Sequence, residues 1–80
     1  MIFKQKFSNY NVLSTGVDGG HCYISTEIKY KGLTRTIVVF FENKLDEKAL
    51  LANEEILVRG NLIDDGLQQS LTLKNTIIIR

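Results

Sequence analysis

Apolar and polar residues alternate along most of this chain with a period of two, which is the pattern of β-strands that bury one face. The alternation is clearest in residues 21–30, where Cys22 and Ile24 point to one side of the predicted strand and Tyr23 and Lys29 to the other. Strands of this kind belong to sheets whose inner face packs on a core while the outer face meets solvent. The chain is therefore predicted to be mainly β.

Five segments are predicted to be strands because they alternate in this way or are rich in β-branched and aromatic residues. They are residues 2–13, 21–30, 33–41, 56–63 and 67–79. Turns separate several of them at residues 16–20, 31–32 and 64–66, where glycine supplies the positive φ that tight turns need. In the last strand, Leu71 and Leu73 are expected on the core face.

Residues 43–53 break the strand pattern and predict a short helix, because they contain helix formers and no β-branched residue. Asn43 can cap its N-terminus, since an asparagine side chain accepts a hydrogen bond from the unpaired backbone N–H groups there. Leu45, Ala49 and Ala52 are spaced so that they form one apolar stripe. The order of elements is thus three strands, one helix and two strands.

This order is that of the OB fold, a small and partly open barrel of five strands, with the helix between strands 3 and 4. The 80 residues suffice for one such domain, residues 1–80, and leave no room for a second core. A closed sheet lets a short chain bury one face of every strand without long free edges. Another small β-rich domain, such as an SH3-like barrel or a half-sandwich, is the alternative.

The third predicted strand is apolar on both faces over its second half. Because both faces are apolar there, the alternation does not decide which face is inward; one choice places Ile37, Val39 and Phe41 in the core. The outward set then consists of Thr34, Thr36, Val38 and Phe40. One small core cannot bury apolar side chains on both faces, and exposed apolar patches usually mark interfaces. We therefore expect a homo-oligomer, a dimer or larger, formed through strand edges or apolar faces.

Composition places the chain among ordinary globular domains, with 44% hydrophobic and 24% charged residues. No run approaches the roughly 20 apolar residues that a membrane-spanning helix needs, and the first residues lack the apolar core of a signal peptide. The single cysteine, Cys22, excludes an intrachain disulfide. A cytoplasmic protein without a membrane segment is expected.

The net charge of +1 conceals an uneven distribution of charge along the chain. Residues 1–41 contain five lysines and arginines against two carboxylates, whereas residues 42–65 contain three against seven. Residues 66–80 add two more cations. The distribution predicts a basic face on the first three strands, although ordinary solvated surface charge explains it equally well.

Catalysis is not expected, because no group of residues has the arrangement that a known reaction type needs. His21 and Cys22 are adjacent in a strand and point to opposite faces, so they form neither a nucleophile–base pair nor a zinc site. Asp64 and Asp65 are interpreted as turn residues. The glycine-rich residues 16–20 lack the lysine and the following helix of a phosphate-binding loop. No metal or other cofactor is predicted.

A family resemblance rests on the stretches LANEEILVRGNL at residues 51–62 and LTLKN at residues 71–75, and on TRTIVVFF at residues 34–41. A helix end, an apolar strand containing Gly60, a charged hairpin and a last alternating strand follow one another here. This order resembles the second half of bacterial single-stranded DNA-binding proteins and of the primosomal replication protein B family, over roughly residues 30–80. The resemblance implies an OB barrel that binds single-stranded DNA in replication or recombination, with replication proteins among its partners.

Non-specific binding of a single strand needs cations that follow the phosphates and aromatic rings that stack on bases. OB domains bind oligonucleotides across the face of strands 2 and 3, where basic and aromatic residues are interleaved in this sequence. The predicted nucleic-acid-binding residues are Lys4, Lys6, Tyr23, Lys29, Lys31, Arg35, Phe40 and Arg59. Of these, Lys29, Lys31 and Arg35 are expected to contact phosphates, and Tyr23 and Phe40 to stack on bases.

Several aromatic and basic residues have more than one interpretation. Tyr10 and Tyr30 are further candidates for stacking, because tyrosine tolerates a half-exposed surface. An outward Phe40 would equally suit a dimer interface, and Arg59 suits either a phosphate contact or plain solvent.

The alternative function is a protein–protein module that has the OB fold and binds no nucleic acid. The low net charge and the absence of tryptophan favour this alternative, since electrostatics supply most of the non-specific affinity for nucleic acid. Among nucleic acids, the residues are compatible with single-stranded RNA as well as with single-stranded DNA.

Overall fold

A computed structural model describes residues 2–15, 22–42, 55–64 and 70–79. Most of these residues lie in six strands: β1 (Ile2–Ser8), β2 (Asn11–Thr15), β3 (Cys22–Tyr30), β4 (Leu33–Phe41), β5 (Glu55–Ile63) and β6 (Ser70–Ile78). The predicted β character of the chain is thus confirmed. No helix within the described ranges is long and apolar enough to cross a bilayer. The predicted helix at residues 43–53 and the predicted turn at residues 16–20 lie outside the described residues.

The six strands form one sheet in the order β1-β5-β6-β4-β3-β2. Neighbouring strands are antiparallel except β4 and β6, which are parallel. β1 and β2 lie at opposite edges of the sheet, yet only Asn9 and Tyr10 separate them in the chain. The sheet must therefore curl until its edges approach each other. The rings of Phe3 and Tyr30, 6.3 Å apart, meet across the inside of this curved half-barrel.

The described ranges contain six strands where the sequence predicted five, because the first predicted strand is interrupted. Asn9 adopts a left-handed conformation with a φ of 53°, which asparagine tolerates better than most residues. β1 therefore ends before this residue and pairs with β5, whereas β2 begins after it and pairs with β3. The curled sheet is consistent with the predicted barrel, but the predicted number of five strands is not confirmed.

The turn predicted at residues 31–32 is confirmed. Lys31 and Gly32 have φ values of 52° and 82°, and the positive φ at both positions is that of the two-residue turns that match the twist of a hairpin. Tyr30 pairs with Leu33 on either side of the turn. The turn thereby sets the register of the whole β3–β4 hairpin.

The inner face of the curved sheet forms the core. Its buried apolar residues are Phe7, Cys22, Ile24, Ile37, Val39, Phe41, Ile56, Val58, Leu62, Leu71 and Leu73. The alternation left open which side of the third predicted strand would be buried, and the structure buries the side of Ile37, Val39 and Phe41. Leu71 and Leu73, both fully buried, lie on the predicted face.

β6 contains a bulge next to Gly60. Between Lys74 and Ile77 this strand has one residue more than the segment of β5 that it pairs with, and Asn75 has a φ of 53°. Thr76 is turned into the core, where its hydroxyl donates to the carbonyl oxygen of Leu73 at 3.4 Å. A bulge redirects side chains, and here Lys74 and Asn75, although consecutive, are both exposed.

Candidate nucleic-acid interface

The outer face of the sheet, opposite the core, holds a stacked pair of aromatic rings. Tyr23 on β3 lies directly opposite Phe40 on β4. Their ring centroids are 5.2 Å apart and their planes are inclined by 26°. Both side chains are half-buried. We refer to Tyr23 and Phe40 as the aromatic pair; it offers flat apolar surface of the kind on which bases stack.

The local sequence explains why these two rings meet. The turn at Lys31 and Gly32 fixes the hairpin register, and a slip of one residue would move every side chain of a strand to the other face. Counted from that turn, Tyr23 and Phe40 have the parity opposite to that of the buried Ile24 and Val39. Core burial on one face therefore holds the aromatic pair on the other.

Two of the predicted cations, Lys29 and Lys31, lie near the turn of the same hairpin. Lys29 is exposed on the outer face opposite Thr34. It is six residues along β3 from Tyr23, a separation of about 20 Å at the usual rise per residue. Lys31 lies in the turn itself, where its Nζ is 5.4 Å from the ring centroid of Tyr30. These hairpin cations are thus distant from the aromatic pair.

Arg35 lies on the opposite side of the sheet from the aromatic pair. It pairs with Ile28 and has the parity of the buried Ile37, so its side chain leaves from the inner face. Its Nη1 and Nη2 donate to the two carboxylate oxygens of Asp64 at 3.2 and 3.3 Å. The side chains are only 15% and 22% exposed. The expectation that Arg35 lies with Lys29 on one binding face is therefore corrected.

The remaining predicted cations lie on the outer face of β1 and β5. Lys4 is directly opposite Arg59, and both side chains are exposed. Lys6, two residues further along β1, forms an ion pair with Glu55, with 3.1 Å between its Nζ and the Oε1 of the carboxylate. Within the described residues, Lys4 and Arg59 have no such partner.

Lys74 was not among the predicted site residues, yet the bulge in β6 places it beside the aromatic pair. A shallow hollow is lined by Phe40, Phe41, Glu42, Lys74 and Asn75. A second hollow shares Glu42 and Asn75 with the first and extends to Ile2, Arg59, Gly60, Asn61 and Ile77. The outer face is thus continuous from the aromatic pair to Arg59 on β5. The sequence feature that could have indicated this bulge is Asn75, a polar residue that interrupts the alternation of the last predicted strand.

The two other tyrosines pack against the core. Tyr10 and Tyr30 are partly buried and pack against the core cluster from the inner face. Burial raises the pKa of the Tyr10 phenol above its usual value. Neither ring lies beside the aromatic pair, so of the three tyrosines only Tyr23 is positioned on the outer face as predicted.

Among the described residues, no three histidine, cysteine, aspartate or glutamate side chains lie close enough together to hold a metal ion. No protein-family model, curated protein or solved structure matches this chain. Its function is therefore inferred from the geometry and chemistry of the outer face.

Proposed function

We propose that this protein binds single-stranded DNA, without regard to its sequence, on the outer face of the sheet. The main support is the aromatic pair, two stacked rings on a face that also holds Lys4 and Arg59, which form no ion pair within the described part of the chain. Base–aromatic stacking contributes about 1–3 kcal/mol per base and tolerates every base. Cations add an attraction to phosphates that is equally independent of sequence.

We further propose that the sheet is an OB barrel. When β1 and β2 are counted as two halves of one strand broken at Asn9, the sheet has five strands, and that first strand supplies both of its edges. A short helix at residues 43–53 would then join β4 to β5. The resemblance to bacterial single-stranded DNA-binding proteins and the primosomal replication protein B family supports an accessory role in replication or recombination. In that role the protein would act in the cytoplasm beside replication proteins.

Titration of a fluorescently labelled oligo-dT at several salt concentrations tests the proposed function. We expect binding at low salt that weakens steadily as salt is added, because each phosphate contact contributes about −0.7 to the slope of log affinity against log salt for single strands. Oligonucleotides of mixed sequence are expected to bind about as well. An oligo-U competitor shows whether RNA is bound equally. Absence of binding at every salt concentration would refute the proposal.

A second candidate function, assembly through contacts between proteins, is favoured by the surface of β2. This strand lies at the edge of the sheet, and a bulge near Leu13 leaves Val12 and Leu13, 38% and 52% exposed, next to each other. Consecutive exposed apolar residues at an edge are suited to contact another chain. We propose that two copies associate there, with or without nucleic acid.

Light scattering tests this association. We expect a species of at least twice the 9.1 kDa mass of the chain at micromolar concentration. A Leu13→Lys variant should be monomeric, because the interface would have to bury the new charge without a partner. Leu33→Lys is the matched control, since Leu33 is 67% exposed beside the hairpin turn rather than at the sheet edge. A wild-type protein that is monomeric at micromolar concentration would contradict the prediction.

A further inference from the structure

Lys4 and Arg59 form an unusual cross-strand pair. They are direct partners in the antiparallel pairing of β1 and β5 and point to the outer face. Side chains so placed have Cβ atoms about 4.5–5.5 Å apart, and like charges in this position are destabilising. Within the described residues, no carboxylate forms an ion pair with either of them. An anion bound between the two side chains would remove the repulsion.

The bulge in β6 connects this pair of cations to the aromatic pair. It turns Lys74 and Asn75 outward together, between Phe40 on one side and Asn61 on the other. Bulges occur often beside functional sites because they redirect side chains in this way. Among the described residues that line the two hollows are two cations, Arg59 and Lys74, and one carboxylate, that of Glu42; Lys4 lies opposite Arg59.

We propose that the bound strand crosses the sheet at a steep angle to the β-strands, from the aromatic pair over β6 to β1. Its bases stack on the aromatic pair, and its phosphates contact Lys74 first and then the gap between Arg59 and Lys4. This path rests on the proposed function. It covers three strand spacings between β4 and β1, about 14 Å. We name Lys74, Arg59 and Lys4 the phosphate row.

The hairpin cations offer a poorer path. A strand that followed the hairpin from the aromatic pair would pass Glu27, whose exposed side chain lies on the outer face before Lys29 is reached. Arg35, the third cation of that region, is engaged by Asp64 on the inner side. The phosphate row begins directly beside Phe40, because Lys74 and Phe40 line the same hollow.

Salt titrations of oligo-dT binding test the path with single substitutions. Each substitution of the phosphate row by alanine is expected to reduce the magnitude of the salt slope by about 0.7; the variants are Lys74→Ala, Arg59→Ala and Lys4→Ala. Relative to the wild type, each variant should therefore lose about a further fivefold in affinity for every tenfold by which the salt concentration is lowered below 1 M. Lys29→Ala and Lys31→Ala are the matched controls, since they remove the same charge near the turn. They should leave the slope unchanged.

Two further variants check the assignment from other directions. Glu42→Gln should raise the affinity, because it removes the one carboxylate that lines both hollows. Lys4→Ala should raise the melting temperature of the free protein at low salt, and the gain should vanish at high salt, because the substitution removes the repulsion from Arg59. This second measurement needs no nucleic acid.

The outcomes separate the path from the function. If the wild-type protein binds oligo-dT but the hairpin variants lower the slope as much as those of the phosphate row, the path is wrong and the proposed function stands. If the wild-type protein does not bind, both fail. The path is supported if only the three variants of the phosphate row lower the salt slope of binding. Circular dichroism must show that each of these variants is folded.

Discussion

A Gly60→Ala substitution is expected to lower the free energy of unfolding by about 1–3 kcal/mol, the usual cost of forcing an extra methyl group into a filled interior. A Cβ at this position would lie 2.6 Å from the hydroxyl of Thr76 and 2.8 Å from the Cγ of Leu73. It would also lie 3.0 Å from the backbone oxygen of Lys74. Because Leu73 and Thr76 are fully buried, neither can move away without disturbing the core.

Urea unfolding followed by circular dichroism measures this loss. Gly32→Asn is the control, since nothing lies within 4 Å of a Cβ at Gly32; any loss of stability there measures only the strain of a side chain at positive φ, which asparagine tolerates better than most residues. A Thr76→Ala substitution in the Gly60→Ala background should restore part of the lost stability by removing the closest atom, and the double-mutant cycle gives the size of that coupling. A Gly60→Ala protein as stable as the wild type would show that the bulge does not pack against Gly60.

The strand positions could be predicted where one alternating pattern ends at a turn with its own sequence signal. β4 coincides with its prediction because the Lys31-Gly32 turn marks its start and the apolar run ends with Phe41. The prediction of the first strand was wrong because the alternation of its apolar residues shifts by one position. Phe3 and Phe7 lie at odd-numbered positions and face inward, whereas the next aromatic residue that packs on the core, Tyr10, lies at an even-numbered position. That change marks the break at Asn9, and a search for alternation alone does not register it.

The candidate site could be predicted in part for similar reasons. Parity along β3 sufficed to predict that Tyr23 faces outward, whereas the two apolar faces of β4 left the side of Phe40 open, and the structure pairs Phe40 with Tyr23. Arg35 was misplaced because it has the parity of the buried Ile37, opposite to that of Phe40, and its partner on the inner side, Asp64, is 29 residues away in the chain. Lys74 was missed because the bulge adds one residue to β6, and a period of two cannot reveal which side chains turn outward after such an insertion.

Removing the Tyr23 ring is expected to weaken binding of single-stranded DNA by about 5- to 150-fold, the equivalent of the 1–3 kcal/mol that a stacked base contributes. Tyr23→Leu is the preferred variant, because leucine keeps apolar contact with Phe40 and so preserves the outer face of the hairpin. The slope of affinity against salt should not change, since stacking releases no counterions. Tyr23→Phe, which keeps the ring, should bind nearly as the wild type does.

The effects of the two rings should not be additive. The ring centroids of Tyr23 and Phe40 are 5.2 Å apart, so we expect one base that stacks on the pair to contact both rings. Residues that are in contact with each other usually show coupled free energies. Phe40→Leu alone should therefore cost nearly as much affinity as the double substitution. Tyr30→Leu removes a ring from the inner face, where it contacts Phe3, and its affinity should equal that of the wild type. If Tyr30→Leu weakens binding while Tyr23→Leu does not, the stacking surface lies on the inner side of the sheet, and the aromatic pair serves only to pack β3 against β4.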